Sequence, residues 1–164
     1  PDDGIVRELT DVLMDAVASG AGVSFMSDLT RDRADAWWRE TFGAASGRAV
    51  ILVAYDGAGI VGTVQVHPAW APNQPHRGDV AKLIVHRRGR GRGIARALMR
   101  AAERYAMANE MTLLLLDTCK GSAAEQLYES LGWSRVGEVP HFARNPDGSW
   151  CTTVFFYKQL VTHV

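Results

Sequence analysis

Apolar residues recur at helical spacing from Gly4 to Ala18, placing Ile5, Leu9, Val12, Leu13, Ala16 and Val17 on one face. Gly20 and Gly22 end that helix. Asp28 or Thr30 can cap a second one, with Ala34, Trp37, Trp38 and Phe42 on its apolar side. A break at Gly43 to Gly47 leads into Ala49–Tyr55, an apolar run of strand character, and Asp56-Gly57-Ala58-Gly59 predicts a hairpin turn. Ile60–Val66 continues as a strand in which Gly62 marks a bulge or a close backbone approach. The prolines between Pro68 and Pro75 demand a loop. A strand over Gly78–Val85, a helix from about Gly91 to Met107 and a short leucine strand over Thr112–Asp117 follow. The leucines predict burial of that strand on both faces. Ala123–Leu131 reads as a helix closed by Gly132. Two strands, Trp133–Val139 and Cys151–Gln159, then flank the Pro146-Asp147-Gly148 turn. This order predicts a mixed α/β (α+β) domain around one sheet, spanning residues 1–164 without repeat or linker.

Composition changes this picture little. With 18 basic and 18 acidic residues, nothing global attracts nucleic acid or an anionic membrane. No apolar run approaches the ~18 residues of a membrane helix, and no signal peptide is visible, so a cytoplasmic protein is expected. Cys119 and Cys151 lack metal-ligand spacing and are read as reduced thiols. No metal is expected.

The charge balance is broken locally. Val85-His86-Arg87-Arg88-Gly89-Arg90-Gly91-Arg92-Gly93-Ile94-Ala95 joins an apolar strand to an amphipathic helix whose inner face is Ile94, Leu98, Ala101, Ala102 and Tyr105. Glycines at a strand-to-helix turn let backbone amides converge, and a helix N-terminus adds unpaired amides and a positive dipole end. The arginines add positive charge, so phosphate binding is the functional expectation and a solvated turn the bland one. A dinucleotide fingerprint would want an acidic residue ending a later strand, whereas Glu110 precedes one. A Walker-type loop would need a Lys-Ser or Lys-Thr that is absent. Nucleic acid could use the arginines, but half of them sit on a helix with an apolar face to bury.

The segment resembles motif A of the GCN5-related N-acetyltransferases, Gln/Arg-x-x-Gly-x-Gly/Ala. Two registers match, Arg88-x-x-Gly91-x-Gly93 and Arg90-x-x-Gly93-x-Ala95, and the second places the helix start as that family does. Leu127-Tyr128-Glu129-Ser130-Leu131-Gly132-Trp133 resembles the end of the family's motif B. The resemblance covers about residues 49 to 160. Gly22–Met26, Lys82–Val85, Leu116-Asp117-Thr118 and Arg135–Pro140 look more narrowly like the tabtoxin-resistance acetyltransferases, whose acceptor is an amino-acid-like toxin. The resemblance implies a mostly antiparallel sheet flanked by helices, acetyl-CoA as co-substrate, a role in antibiotic or toxin resistance, and a homodimer. It also implies a strand ahead of the first helix. No segment here plays that part, which leaves that strand missing at the N-terminus.

The resemblance further implies site residues. Arg90, Gly91, Arg92, Gly93, Ile94 and Ala95 would hold the CoA pyrophosphate, and Leu83-Ile84-Val85 would pair with the pantetheine arm. A backbone amide near Val85, at a bulge of that strand, would polarise the thioester carbonyl. Tyr128 would protonate the departing thiolate, and Asp117 and Asp79 would take the amine's proton, directly or through water. Read without the family, Asp117 is either a cleft carboxylate or a turn residue before Gly121-Ser122, and Asp79 a base or a surface strand end. Tyr128 is otherwise a core aromatic. His67 and His76 flank the proline loop and can line a substrate cleft, while His86 reads as solvated. Phe25 and Met26 could face the acceptor, Trp37, Trp38 and Phe42 read as core, and an acetyl-Cys119 route is conceivable. The expected function is therefore N-acetylation of a small primary amine. Acetylation of a peptide or protein N-terminus and acetyl-CoA sensing without turnover stand as alternatives.

Overall fold

Helices form where an apolar stripe meets a capping side chain. Asp2 accepts the Gly4 and Ile5 amides and starts α1 (Asp3–Ala18). Its predicted stripe, Leu9, Val12, Leu13, Ala16 and Val17 together with Val6, is buried, whereas Ile5 stays exposed. The computed structural model describes residues 2–45 and 49–160. The second helix, α2 (Arg31–Ala45), buries Ala34 and Trp38 completely. Ser46 and Gly47, at the end of the predicted break, lie outside the described residues.

Six strands form one sheet in the order β1-β2-β3-β4-β6-β5: β1 (Val50–Asp56), β2 (Gly59–Pro68), β3 (Arg77–Val85), β4 (Leu113–Cys119), β5 (Ser134–Arg144) and β6 (Trp150–Gln159). All neighbours are antiparallel except β3 and β4. The buried stripe of α1 and α2 packs with Ile60 and Ile84 in one core. On the other core, α3 (Ile94–Ala108) and α4 (Ala123–Ser130) meet Val64, Val66, Leu114 and Phe156. This is the predicted mixed α/β architecture. Gly62 is a close-approach site: a Cβ there would lie 3.0 Å from the Ile84 carbonyl oxygen and 3.1 Å from Leu98 on α3.

Four details depart from the pattern reading. Leu114 and Leu116 are buried, but Leu113 and Leu115 only half so, because α1 packs on β2 and β3 and leaves their face of β4 less covered. Strand β5 continues through Pro140 to Arg144, its register to β6 shifting between Val139 and Ala143 where His141 takes φ +53°. The expected α3 start at Gly91 moves to Ile94, because Gly91 and Gly93 adopt φ of +73° and +75°, outside helical geometry. Finally, Cys119 and Cys151 form a disulfide with Cα atoms 5.9 Å apart, which corrects the expectation of free thiols. The β4–β6 register pairs Cys119 with Thr153, so Cys151 is a near neighbour across the ladder and within bridging reach. The acetyl-Cys119 route has no free thiol while that bridge stands.

The feature that opens a site is the β3–β4 seam. These strands pair only from Arg77–Asp79 to Leu113–Leu115. Beyond that point β3 carries an extra residue opposite β2, since Thr63 pairs with Ile84 while Gln65 pairs with Ala81. Lys82 sits in this bulge at φ +54°. The two strands diverge past Asp79 and leave a wedge in the sheet.

Candidate active site

Two adjoining cavities occupy the wedge. One, of about 430 Å³, runs between Leu83 and Val85 on β3, Arg90 and Ala95 at the entry to α3, and Leu127 on α4. The other, of about 290 Å³, lies between Lys82 on β3, Asp117 on β4, Tyr128 on α4 and the Phe142–Arg144 end of β5. They share Ala21, Leu83, Ser122 and Ala124 as walls. A long ligand in the first cavity would thus present its end to the second.

The loop at the mouth is held by carboxylates that pattern reasoning did not single out. Asp15 of α1 accepts the Arg87 amide at 2.8 Å and the Arg87 guanidinium, with His86 at 3.8 Å and Arg90 at 3.7 Å. Burial pushes the Asp15 carboxyl up, but the Arg87 hydrogen bonds and the His86 charge outweigh it and hold it below the usual range. Asp56, in the β1–β2 turn, receives Arg88 at 3.5 Å and Arg92 at 3.2 Å. Arg88 and Arg92 thus tie the loop down, and Arg90 is the arginine that lines the groove. Gly93 precedes the α3 first turn, whose amides have no intrahelical acceptor. Ile84 turns its side chain into the α1–α2 core, while Leu83 and Val85 face the groove.

These residues fit the phosphate and pantetheine arm of a CoA ester: an apolar slot ending at a cradle of unpaired amides with one arginine. A Cβ on Gly93 would meet nothing within 4 Å, so glycine is needed there for its backbone alone. Gly93→Ala is expected to cost about 1–2 kcal/mol of stability. It should also raise the acetyl-CoA Kd about tenfold. Calorimetric titration beside a thermal melt checks both, and an unchanged Kd would remove the loop from phosphate binding.

The second cavity brings Asp117 and Tyr128 together. Helix α4 starts where Ser122 accepts the Glu125 amide at 3.2 Å and Glu125 reaches back to the Gly121 amide, a local capping pair that fixes the helix beside β4. Glu125 is itself held by Arg135 at 2.9 Å. Tyr128 is 5% exposed, packed against Trp133 and Phe156 with ring centroids 6.0 and 5.9 Å away. Burial, with the nearby Asp117 charge, pushes its hydroxyl far up, so it stays protonated through the working pH range. Asp117 is exposed to the cavity, and partial desolvation raises its carboxyl. Lys82 works against that rise and Asp79 adds to it. Asp79 lines neither cavity. Its carboxylate pairs with Arg77 at 3.0 Å below the point where the strands part.

Phe25 stacks edge-on against Trp37 at 5.3 Å and Met26 is exposed, so the second cavity is lined instead by Gly22, Val23 and Ser24. His86 caps the turn at Arg87–Gly89 by accepting the Arg88 amide. His67 lines a third cavity, and burial pushes its imidazole down. Pattern reasoning assigned no role to Lys82, although a lone charge in the apolar run Val80–Val85 was a visible signal. Among the described residues, no group of three His, Cys, Asp or Glu side chains is placed to hold a metal. No helix there is long and apolar enough to cross a membrane.

Comparison with known proteins decides the family, because the Acetyltransferase (GNAT) family matches residues 13–133. The chain belongs to that family. Members of this family are acetyl-CoA-dependent N-acetyltransferases, and the wedge and loop are the parts of this member suited to that co-substrate. A GNAT superfamily phosphinothricin acetyltransferase from Sinorhizobium meliloti, solved in complex with acetyl-CoA, shares the fold with a TM-score of 0.82 at 18% identity, covering 98% of this chain and 85% of that one. A ribosomal-protein-alanine N-acetyltransferase from Brucella melitensis gives a TM-score of 0.79 at 20% identity over 98% and 97% of the two chains. Among curated proteins, the N-acetylaspartate synthetase of Danio rerio is 39% identical over 74 residues, 42% of this chain and 26% of that protein. The N-acetylaspartate synthetase of Rattus norvegicus is 34% identical over 91 residues, 55% of this chain and 29% of that protein. The chain therefore spans about a quarter of the length of these curated relatives.

Proposed function

We propose that this GNAT member moves the acetyl group of acetyl-CoA directly onto the primary amine of a small molecule, an amino-acid-like toxin or antibiotic being the class that the sequence resemblance implies. The observation that carries the reading is the meeting of Asp117 and Tyr128 in one cavity that adjoins the CoA-shaped groove. The thioester supplies the activated acyl carbon. Asp117 draws the proton from the acceptor's ammonium, directly or through water, so that the neutral nitrogen can attack. A backbone N–H of β3 beside the Lys82 bulge, where its ladder with β2 is irregular, would donate to the carbonyl oxygen as charge develops. As the carbon–sulfur bond breaks, the Tyr128 hydroxyl gives its proton to the sulfur, and the second proton shed by the attacking nitrogen passes through solvent to restore that hydroxyl. Asp79, tied to Arg77, is assigned to supporting Asp117 rather than to the proton transfer.

Small-molecule acceptors are supported by the cavity's size and by the acetylated amino acid in the name of the synthetase relatives. A protein N-terminus is the competing acceptor, and the fold shared with a ribosomal-protein-alanine acetyltransferase keeps that arm in the test. The reading places the enzyme in the cytoplasm, where acetyl-CoA is at hand. It also includes a homodimer, for which the exposed Val136 and Val139 of β5 and Trp150 of β6 offer apolar surface. Thiol release from acetyl-CoA, measured against free amino acids, polyamines, aminoglycosides and short peptides, tests the proposal. Turnover confined to amino-acid-sized amines supports it. Turnover confined to peptides replaces the acceptor class, and binding of acetyl-CoA with no turnover on any amine defeats the transferase reading.

A further inference from the structure

The sequence holds three lysines, Lys82, Lys120 and Lys158, and the fold gives them different partners. Lys120 Nζ donates to Glu138 at 2.8 Å and Lys158 Nζ to Glu103 at 2.8 Å. A carboxylate beside an ammonium holds the proton on it, so neither nitrogen is a ready nucleophile. Lys82 stands in the β3 bulge and lines the second cavity together with Asp117 and Tyr128. Its Nζ donates to Ser24 Oγ at 2.8 Å, and the Trp37 ring lies 5.8 Å away. Ser24 lines the same cavity, so the nitrogen sits at its wall. Among the described residues no carboxylate comes within ion-pair distance of it. Both partners of that hydrogen bond hold left-handed backbone, Ser24 at φ +76° and Lys82 at φ +54°. Such a conformation persists in a non-glycine residue where the surroundings enforce it. Burial, only partly offset by the Asp117 charge, pushes the Lys82 ammonium below the ordinary lysine value. The next residue, Leu83, walls both the groove and the second cavity. An acyl group arriving along the groove therefore enters the cavity beside the Lys82 side chain.

We infer that Lys82 is a self-acetylation site: with acetyl-CoA bound and no acceptor in place, its Nζ takes the acetyl group of the same chain's co-substrate. This rests on the transferase reading and goes beyond it. Asp117 draws one proton from the ammonium, directly or through water. The neutral nitrogen bonds to the carbonyl carbon, the carbon–sulfur bond breaks, and the sulfur takes the Tyr128 proton. The nitrogen's second proton passes through solvent to restore the Tyr128 hydroxyl. The products are an amide at Lys82 and free CoA, and nothing is oxidised or reduced. Lys120 and Lys158 line neither cavity and stay unmodified. The new amide adds the acetyl group's bulk to a cavity of about 290 Å³ and removes its ammonium, so the modified chain has less room for an acceptor.

The test incubates the unaltered chain with acetyl-CoA and no amine, and follows acetyl-lysine at each position by peptide mass spectrometry. Held beside the thioester, Lys82 should be acetylated at least about 100-fold faster than Lys120 or Lys158. Its rate per chain should not change when the protein is diluted under saturating acetyl-CoA, as befits transfer within one chain. Excess CoA competes for the groove without carrying an acetyl group. It should suppress acetylation of Lys82 and leave the slow chemical modification of the other two lysines as it was. Comparable rates at all three lysines overturn the inference, and so does a Lys82 rate that CoA does not suppress. A rate that falls on dilution assigns the transfer to a second chain and overturns it as well. An unmodified Lys82 in a chain that acetylates added amines in the thiol-release assay overturns the inference and leaves the transferase intact. Acetylation of neither Lys82 nor any amine refutes the transferase reading and this inference with it.

Discussion

Tyr128→Phe is expected to lower kcat by about 10²–10³-fold while leaving the acetyl-CoA Kd within about twofold. The hydroxyl is the only atom removed. The ring, which packs against Trp133 and Phe156, stays, so stability should hold. Protonation eases departure of the thiolate from acetyl-CoA, and Tyr128, the buried hydroxyl lining the second cavity, is the proposed proton source. Because its hydroxyl is pushed far above the ordinary value, it does not ionise as pH rises through 7 to 9, and no basic limb of the rate profile should belong to it. A thioester with a better leaving thiol offers a second check, since the deficit of the Phe variant should shrink with it. A variant as active as the wild type would return Tyr128 to the core.

Asp117→Asn is expected to cost about 10²-fold in kcat/KM at neutral pH, again with acetyl-CoA binding preserved. The sign of its pH dependence follows from its environment. Asp117 must be ionised to accept a proton, so activity falls as pH drops through its folded-state pKa. Desolvation lifts that value above the usual aspartate range, with the Lys82 charge limiting the rise. The acidic limb should therefore start at higher pH than for a free aspartate, and the Asn variant should lack it. Asp79→Asn is the contrasting measurement. Its carboxylate is tied to Arg77 outside both cavities, so its loss should be the smaller. Equal losses for the two variants would return Asp79 to the base, and full activity in both would leave the reaction without either.

Much of this site was legible in order along the chain. Strand, arginine–glycine loop and helix came from periodicity and glycine placement, and Gly91 and Gly93 do take the left-handed φ that only glycine adopts freely. The pairing of Leu127-Tyr128 with Gly132-Trp133 marked α4, and Ser122 with Glu125 explains why it starts there. These are local matters, set within a few residues by backbone sterics and capping. The side-chain partners of the loop arginines were not legible because they are remote: Asp15 lies 72 residues from Arg87, and Asp56 lies 36 from Arg92.

Element types, the α/β class and the strand–glycine loop–helix order of the candidate site follow from residue order alone, because helix and strand periods and turn chemistry are short-range. Tertiary structure decided the rest. The single extra residue in β3 shows only when its register is counted against β2, yet it aims Lys82 and lets β3 part from β4. The same parting admits Asp117 to the cavity and leaves Asp79 behind, though both are strand aspartates in sequence. Cys119 and Cys151 meet because β4 and β6 are neighbours despite a sequence separation of 32. That Lys82 meets a hydroxyl where Lys120 and Lys158 meet carboxylates is likewise decided by what packs around each, since burial and partners are properties of the assembled fold.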